Sequence, residues 1–416
     1  MFRKILVVTM AAAVLLGTAG CVSEREHVIG AEQITFDEEA KDIEDVELDA
    51  DYREAVTDYA IELFKRSNSV DGNTLVSPVS VMLALGMTAN GADGETLKAF
   101  EEVLGKGMSI DEINAYYKSY VDSLPNTEES KLTIANSIWI KNLTDLDVSS
   151  DFLRTNKNYY NSHIYKTDFN KETVDDINKW VSDNTDGMIE IIINEIPSET
   201  LMMLINAIAF DAEWVDVYEE DQVRDTDFTK ADGSIQSVEG MYGSENVYIE
   251  DEDTTGFIKE YKNGYSFVAL LPDEGISIED YVADMTGEKY RALMDNKQSV
   301  LTHTMIPKFK YEYSVEMDEI LKDMGIKDAF STKAADFSNM AGYEGGNIYI
   351  GKVLHKTFIE MGEKGTRAAA VTAVMMDCGT AMPEEYKEVY LDRPFVYMIV
   401  DNETNTPIFI GTVTEI

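Results

Sequence analysis

Segments patterned for helix crowd the first third of this 416-residue chain, and segments patterned for strand crowd the last third. That segregation argues against the regular alternation of a parallel α/β fold and leaves α+β. Tyr52, Val56, Tyr59, Ala60, Leu63 and Phe64 recur at helical spacing, which predicts an amphipathic helix. In SPVSVMLALGMTANG, Ser77 stands as an N-cap with Pro78 at the first helical position. The run that follows is apolar nearly all round, so this helix is expected to be buried. KLTIANSIWI, HIYKTDF, YSFVALLP, THTMIPKFKYEY and EVYLDRPFVYMIVDNETNTPIFIGTV are rich in β-branched and aromatic residues. They read as strands, the last as a hairpin around DNETN. No second linker, repeat or low-complexity tract follows Asp51, so 51–416 reads as one domain.

The chain ahead of that domain has a different character. MFRKILVVTMAAAVLLGTAGC joins a basic start to an apolar stretch from Ile5 to Leu16. The stretch is short for a membrane span and fits an export signal over 1–20. Thr18, Ala19 and Gly20 before Cys21 resemble a bacterial lipobox, with Thr18 where Leu is usual. Cys21 is therefore the expected lipidation site. The expected location is exported: lipid-anchored at the cell surface or outer face of a membrane, or released outside the cell. Val22 to Ala50 holds eleven acidic residues against two basic ones, the composition of an extended tether. Cys378 is then the only cysteine of the mature body, which excludes an internal disulfide or a CxxC site.

Chemistry is hard to place anywhere in this sequence. The formal net charge of −43 speaks against a nucleic acid partner, which needs basic patches. Four histidines are present, none with a metal-spaced neighbour. There is no HExxH, G-x-S-x-G, GxxxxGK[ST] or GxGxxG. Cys378 has Asp377 beside it, a poor setting for a reactive thiol. DEDTTG begins like a calcium loop, but its twelfth position is Lys262, so a solvated turn is expected. Neither enzymatic activity, a metal nor a cofactor is expected. What remains unexplained is EKGTRAAAVTAVMMDCGTAMPEEY, where six of the eight residues from Thr366 to Ala373 are Ala or Thr. Such a run is too apolar for a linker and too small-sided for a core.

From Asp51 to Ile416 the chain resembles a serpin. The resemblance is carried in order by NTLVSPVSVMLALGMTANGADGETL, LTIANSIWI, INKWVSDNTDGMI, LINAIAFDAEW, IPKFKYEY, LKDMGIKDAFS, VLHKTFIEMGEKGT and DRPFVYMIVDNETNTPIFIGTV. It implies three β-sheets, about nine helices and an exposed reactive-centre loop near the C-terminus. The unexplained run is then that loop. A protease that cleaves it forms an acyl-enzyme, and the loop enters a sheet as a new strand before the ester is hydrolysed. Counting from Thr366, one face would carry Thr366, Ala368, Ala370, Thr372, Val374 and Met376, all small or apolar. Arg367, where the family often has Glu, would face solvent beside Ala369.

The resemblance also implies Gly365 as a flexible hinge leading into Thr366, Arg367, Ala368, Ala369 and Ala370. Glu363 and Lys308 would form an ion pair where insertion begins, with Trp214 packed beside them. Asn73, Ser77, Ser80, Asn206 and His355 would form a buried polar cluster beneath the sheet. The family's spacing from Glu363 places the cut at Gly379–Thr380, a count shorter by one places it at Cys378–Gly379, and Met382 remains open because the loop is long. None of these residues is basic, which favours elastase-like or subtilisin-like serine proteases over trypsin-like ones. The expected partner is such a protease in a covalent acyl complex, bound by a monomer that needs no heparin-like activator. Two alternatives stay open: cross-class inhibition of papain-like cysteine proteases, and a non-inhibitory serpin acting as a surface binding protein.

Overall fold

The computed structural model describes residues 30–36, 43–68, 72–367 and 386–416. Among them, nine α-helices and eighteen strands build three sheets, the α+β architecture expected. One sheet has seven strands, in the order Glu32–Gln33, His163–Thr167, Ser130–Lys141, Met202–Glu213, Gly365–Thr366, Leu354–Gly362 and Phe309–Glu316. A second has nine, centred on Ile235–Glu250, Thr254–Glu260, Tyr265–Pro272, Phe395–Asp401 and Pro407–Val413. The third pairs Leu146–Val148 with Ala341–Tyr343.

The seven-stranded sheet is covered on both faces, and the two-residue period of its strands shows how. Along Met202–Glu213, Ile208, Phe210 and Ala212 join the main core. Met203, Ile205 and Ala207 instead pack with Trp139, Ile177 and Trp180 beneath the helix Lys171–Asn184. On the core side lies the helix Pro78–Ala89, which packs against Met202–Glu213 and Pro407–Val413. Ser77 caps it by accepting the Ser80 N–H, and ten of its twelve residues are buried. The helix Ala50–Ser67 is capped by Asp49 and buries Tyr52, Val56, Tyr59, Ala60, Leu63 and Phe64.

Four features depart from the sequence reading. THTMIPKFKYEY is two strands, because the chain leaves the nine-stranded sheet at Pro307 and enters the seven-stranded one at Phe309. Lys308 sits at that junction. EVY does not begin the C-terminal hairpin, since Lys387–Tyr390 pairs in parallel with Gln298–Pro307. Helices Ile278–Asp284, Gly287–Asp295 and Asp318–Met324 stand among the later strands, and they are too short to show a clear period. The segment read as a tether contributes an edge strand: Glu32 and Gln33 pair with Lys166 and Tyr165, and Ile34 and Phe36 pack against the core. Backbone pairing makes no demand on side-chain charge, so an acidic composition did not forbid it.

Candidate functional site

The site begins where Gly365–Thr366 lies between two strands of the seven-stranded sheet. Gly365 pairs with Glu213 and Gly362, and Thr366 pairs with Ala212 and Met361. Among the described residues, Met202–Glu213 and Leu354–Gly362 have no direct ladder and are joined only through this two-residue strand. The first two hinge residues, Gly365 and Thr366, therefore already lie in the sheet. Gly365 is required there rather than merely flexible. It sits at φ +147°, and a Cβ would fall 1.9 Å from the Ala212 carbonyl oxygen, a position closed to other residues. The Thr366 hydroxyl points inward to the Tyr261 hydroxyl at 2.5 Å. Arg367 faces the other way, as the alternation requires, but its φ of +47° ends the strand. Its guanidinium does not stay free in water: it donates to the Asp186 carbonyl at 3.0 Å and lies 5.9 Å from the Phe358 ring centre.

Around the hinge, the three residues singled out from sequence come together. Lys308 Nζ is 2.7 Å from Glu363 and 3.1 Å from Glu239. Burial pushes the Glu363 carboxyl up, but the Lys308 hydrogen bond and charge outweigh it and hold the group below its usual range. Trp214 is fully buried. It stacks on Tyr261 with centroids 4.0 Å apart, and its indole N–H donates to the Gly362 carbonyl at 3.1 Å. Its backbone N–H binds Lys364 O, and that of Tyr218 binds Glu363 O, so the turn is held from two points.

A buried cation behind this turn escaped the sequence reading. Lys259 donates to Glu245 and to the Asp216 carbonyl, both at 2.9 Å, and its Nζ lies 4.6 Å from the Tyr218 ring centre. Burial pushes the Glu245 carboxyl up against the pull of Lys259. A lysine directly after the apolar Phe257 and Ile258 was the signal available.

Beneath the sheet, four of the five predicted cluster residues meet at the N-terminus of Pro78–Ala89. Ser77 N–H donates to His355 Nε2 at 3.0 Å, and Ser77 Oγ donates to Ile408 O. Ser80 Oγ donates to Asn206 Oδ1 at 2.5 Å, and Asn206 passes the chain of bonds to Asn136 at 2.8 Å. One helix end therefore holds both strands that flank the hinge, His355 on one and Asn206 on the other. Burial lowers the His355 pKa to about 4, so the ring is neutral. Asn73 is the exception. It is only half-buried, and it binds Glu415 O and Thr414 N, which ties down the C-terminal residues instead. Ala368, Ala369, Ala370, Cys378, Gly379, Thr380, Met382 and Cys21 lie outside the described residues.

A sheet whose two central strands meet only through the start of a loop is a scaffold able to take in a strand. The model of the family Serpin (serine protease inhibitor) matches residues 54–416, and the chain belongs to the serpin family. It is 29% identical to leukocyte elastase inhibitor A of Mus musculus over 86% of this chain and 98% of that protein. A similar match, 28% identical over 86% of this chain and 84% of the relative, is an uncharacterized serpin-like protein of Thermococcus kodakarensis. Among solved structures, the thermophilic serpin tengpin in its native state superposes with a TM-score of 0.89 at 48% identity, covering 93% of this chain and all of that one. Tengpin in its latent state gives 0.81 at 46% identity over 90% of this chain and all of the other. Serpins are in general protease inhibitors rather than catalytic enzymes.

Proposed function

We propose that this serpin inhibits a serine protease by trapping its acyl-enzyme. The observation that carries the reading is Gly365–Thr366 lying between Met202–Glu213 and Leu354–Gly362, with Thr366 facing inward. The residues after it alternate small and apolar on that same inward side, so a longer insertion meets no charge that must be buried. The protease serine Oγ attacks the carbonyl carbon of Cys378 or Gly379. The peptide bond breaks, the following residue leaves with a proton as a new amino terminus, and an ester joins enzyme to loop. Strand insertion then gives the loop's main-chain groups partners in the sheet, and it outruns water's attack on the ester. Release of the strain stored in the native state drives the step. The small side chains near the scissile bond favour an elastase-like or subtilisin-like target. The elastase named in the mouse relative's description supports the first of these. Lipidation of Cys21 would hold the inhibitor at an outer membrane face.

The test uses the chain begun after Cys21, which keeps the Glu32–Gln33 strand, with an elastase, a subtilisin, a trypsin and a papain-like protease. A complex with elastase or subtilisin that survives denaturing electrophoresis is expected, and the C-terminal fragment's mass fixes the scissile bond. Complex formation only with the papain-like enzyme would replace the serine-protease assignment. Loop cleavage with no complex across the panel would count against inhibition.

A further inference from the structure

The outer face of the seven-stranded sheet carries a row of charges with one position missing. Lys131 stands directly opposite Asp211 in the ladder between Ser130–Lys141 and Met202–Glu213. Further across, Glu360 stands opposite Lys310, and the two are ion-paired at 3.0 Å. The hinge pairing fixes what falls between them. Thr366 lies opposite Ala212 on one side and Met361 on the other. One residue further along an antiparallel strand, Arg367 would lie opposite both Asp211 and Glu360. The complete row reads Lys131, Asp211, Arg367, Glu360, Lys310, alternating in sign across five strands. All five are at least partly exposed, whereas the preceding row of Ser130, Ala212, Thr366, Met361 and Phe309 is buried. The charges therefore share one face.

In the structure Arg367 has reached this row without settling into it. Its N–H already donates to Glu360 O at 2.9 Å, yet its own backbone is left-handed, with φ +47°, and not extended. The guanidinium rests on the carbonyl of Asp186, whose carboxylate is ion-paired with Lys131. Arg367 is near enough to act on Asp211: burial pushes that carboxyl up, and Arg367 and Lys131 draw it back down.

We infer that Arg367 is a positioning residue for loop insertion, because on entering the sheet its cation fills the centre of an alternating charge row between two acidic strands. This rests on the insertion reading above. A glutamate at this position would instead meet Asp211 and Glu360 at directly opposed sites, where like charges destabilise a sheet. The arginine and the two carboxylates are thus a matched set.

Four proteins test this: wild type, Arg367→Lys, Arg367→Glu, and Arg367→Glu combined with Asp211→Asn and Glu360→Gln. Each is assayed for stoichiometry of inhibition at low and high salt, and melted intact and after loop cleavage. Arg367→Glu is expected to insert more slowly by about threefold or more at low salt, so more inhibitor is consumed as substrate. Its cleaved form should also melt lower than cleaved wild type. Arg367→Lys should stay near wild type, the triple variant should recover most of the loss, and high salt should narrow the gap. Arg367→Glu behaving as wild type, or a loss that persists in the triple variant, would overturn the charge-row role alone. A wild type whose melting does not rise on cleavage would overturn the insertion reading together with it.

Discussion

His355 has almost no contact with solvent, and its Nε2 accepts the Ser77 N–H, so its proton sits on Nδ1. Burial takes its pKa from 6.5 to about 4. Between those values the unfolded chain binds the proton and the folded chain does not, so stability rises with pH across the window. The contribution is complete above about pH 6.5 and is lost as pH falls toward 4, with a ceiling of about 3 kcal/mol. Asp176 works in the opposite sense: burial, with Glu172 and Asp175 nearby, raises it to about 6, so its protonation on acidification favours the fold. Comparing wild type with His355→Gln separates the two. Wild type is expected to lose more thermal stability from pH 6.5 to 4 than the variant, and equal slopes would mean that the buried ring takes up a proton without cost. Single residues were legible to different degrees for physical reasons. Ser77, Ser80, Asn206 and His355 stand in segments whose order in the chain identifies them. Asn136 and Tyr261 act through partners remote in sequence, Asn206 and Thr366, and nothing local marks them. Asn73 was misplaced because a polar residue before a strand says nothing of which buried group it will meet.

At the scale of elements, the hinge turn is held by two ion pairs of unequal strength. Lys308 and Glu363 are partly exposed, at 26% and 39% of their side-chain surface, so their pair contributes about 1 kcal/mol or less. Lys259 and Glu245 are 3% and 12% exposed. Removing one partner there leaves a buried charge, at a cost of about 3–5 kcal/mol. Glu245→Gln is therefore expected to lower the melting temperature of the intact protein clearly more than Glu363→Gln. The Glu363→Gln loss should shrink in high salt, whereas the Glu245→Gln loss should persist. Equal losses would show that the pair beneath Tyr218 is hydrated. Sequence patterning found Ala50–Ser67 by its helical spacing, Pro78–Ala89 and Tyr265–Pro272 by their continuous apolar runs, and Ser130–Lys141 by its β-branched and aromatic residues. Strands such as Val223–Thr229 and Ile235–Glu250 set single buried residues, Phe228 in the first and Val238 in the second, among exposed polar ones, so no apolar run announces them. Glu32–Gln33 was illegible because its stabilisation is a backbone ladder with an apolar residue on either side, at Ala31 and Ile34.

Over the whole molecule the −43 formal charge is compatible with a tightly packed core, because among the described residues few charged groups are buried, Asp176, Lys259 and Asp401 being the exceptions. Local pairs such as Lys106 with Asp58 and Lys262 with Glu213 neutralise only part of that surface. The excess sets a long-range field that acts before any loop contact is made. Ions screen that field over about 8 Å at physiological strength, so its effect belongs to the encounter step and not to strand insertion. A basic protease is drawn toward the inhibitor, and an acidic one is repelled. The association rate constant with a basic elastase-like enzyme should fall by about tenfold or more as salt is raised from low to high concentration. With an acidic subtilisin-like enzyme it should stay flat or rise. Stopped-flow competition against a chromogenic substrate measures both. A fall for the basic enzyme alone would place charge among the determinants of target choice. Equal, flat profiles would leave discrimination to the loop residues around Cys378 and Gly379, because the side chains entering the protease's pocket would then be the only feature distinguishing one target from another.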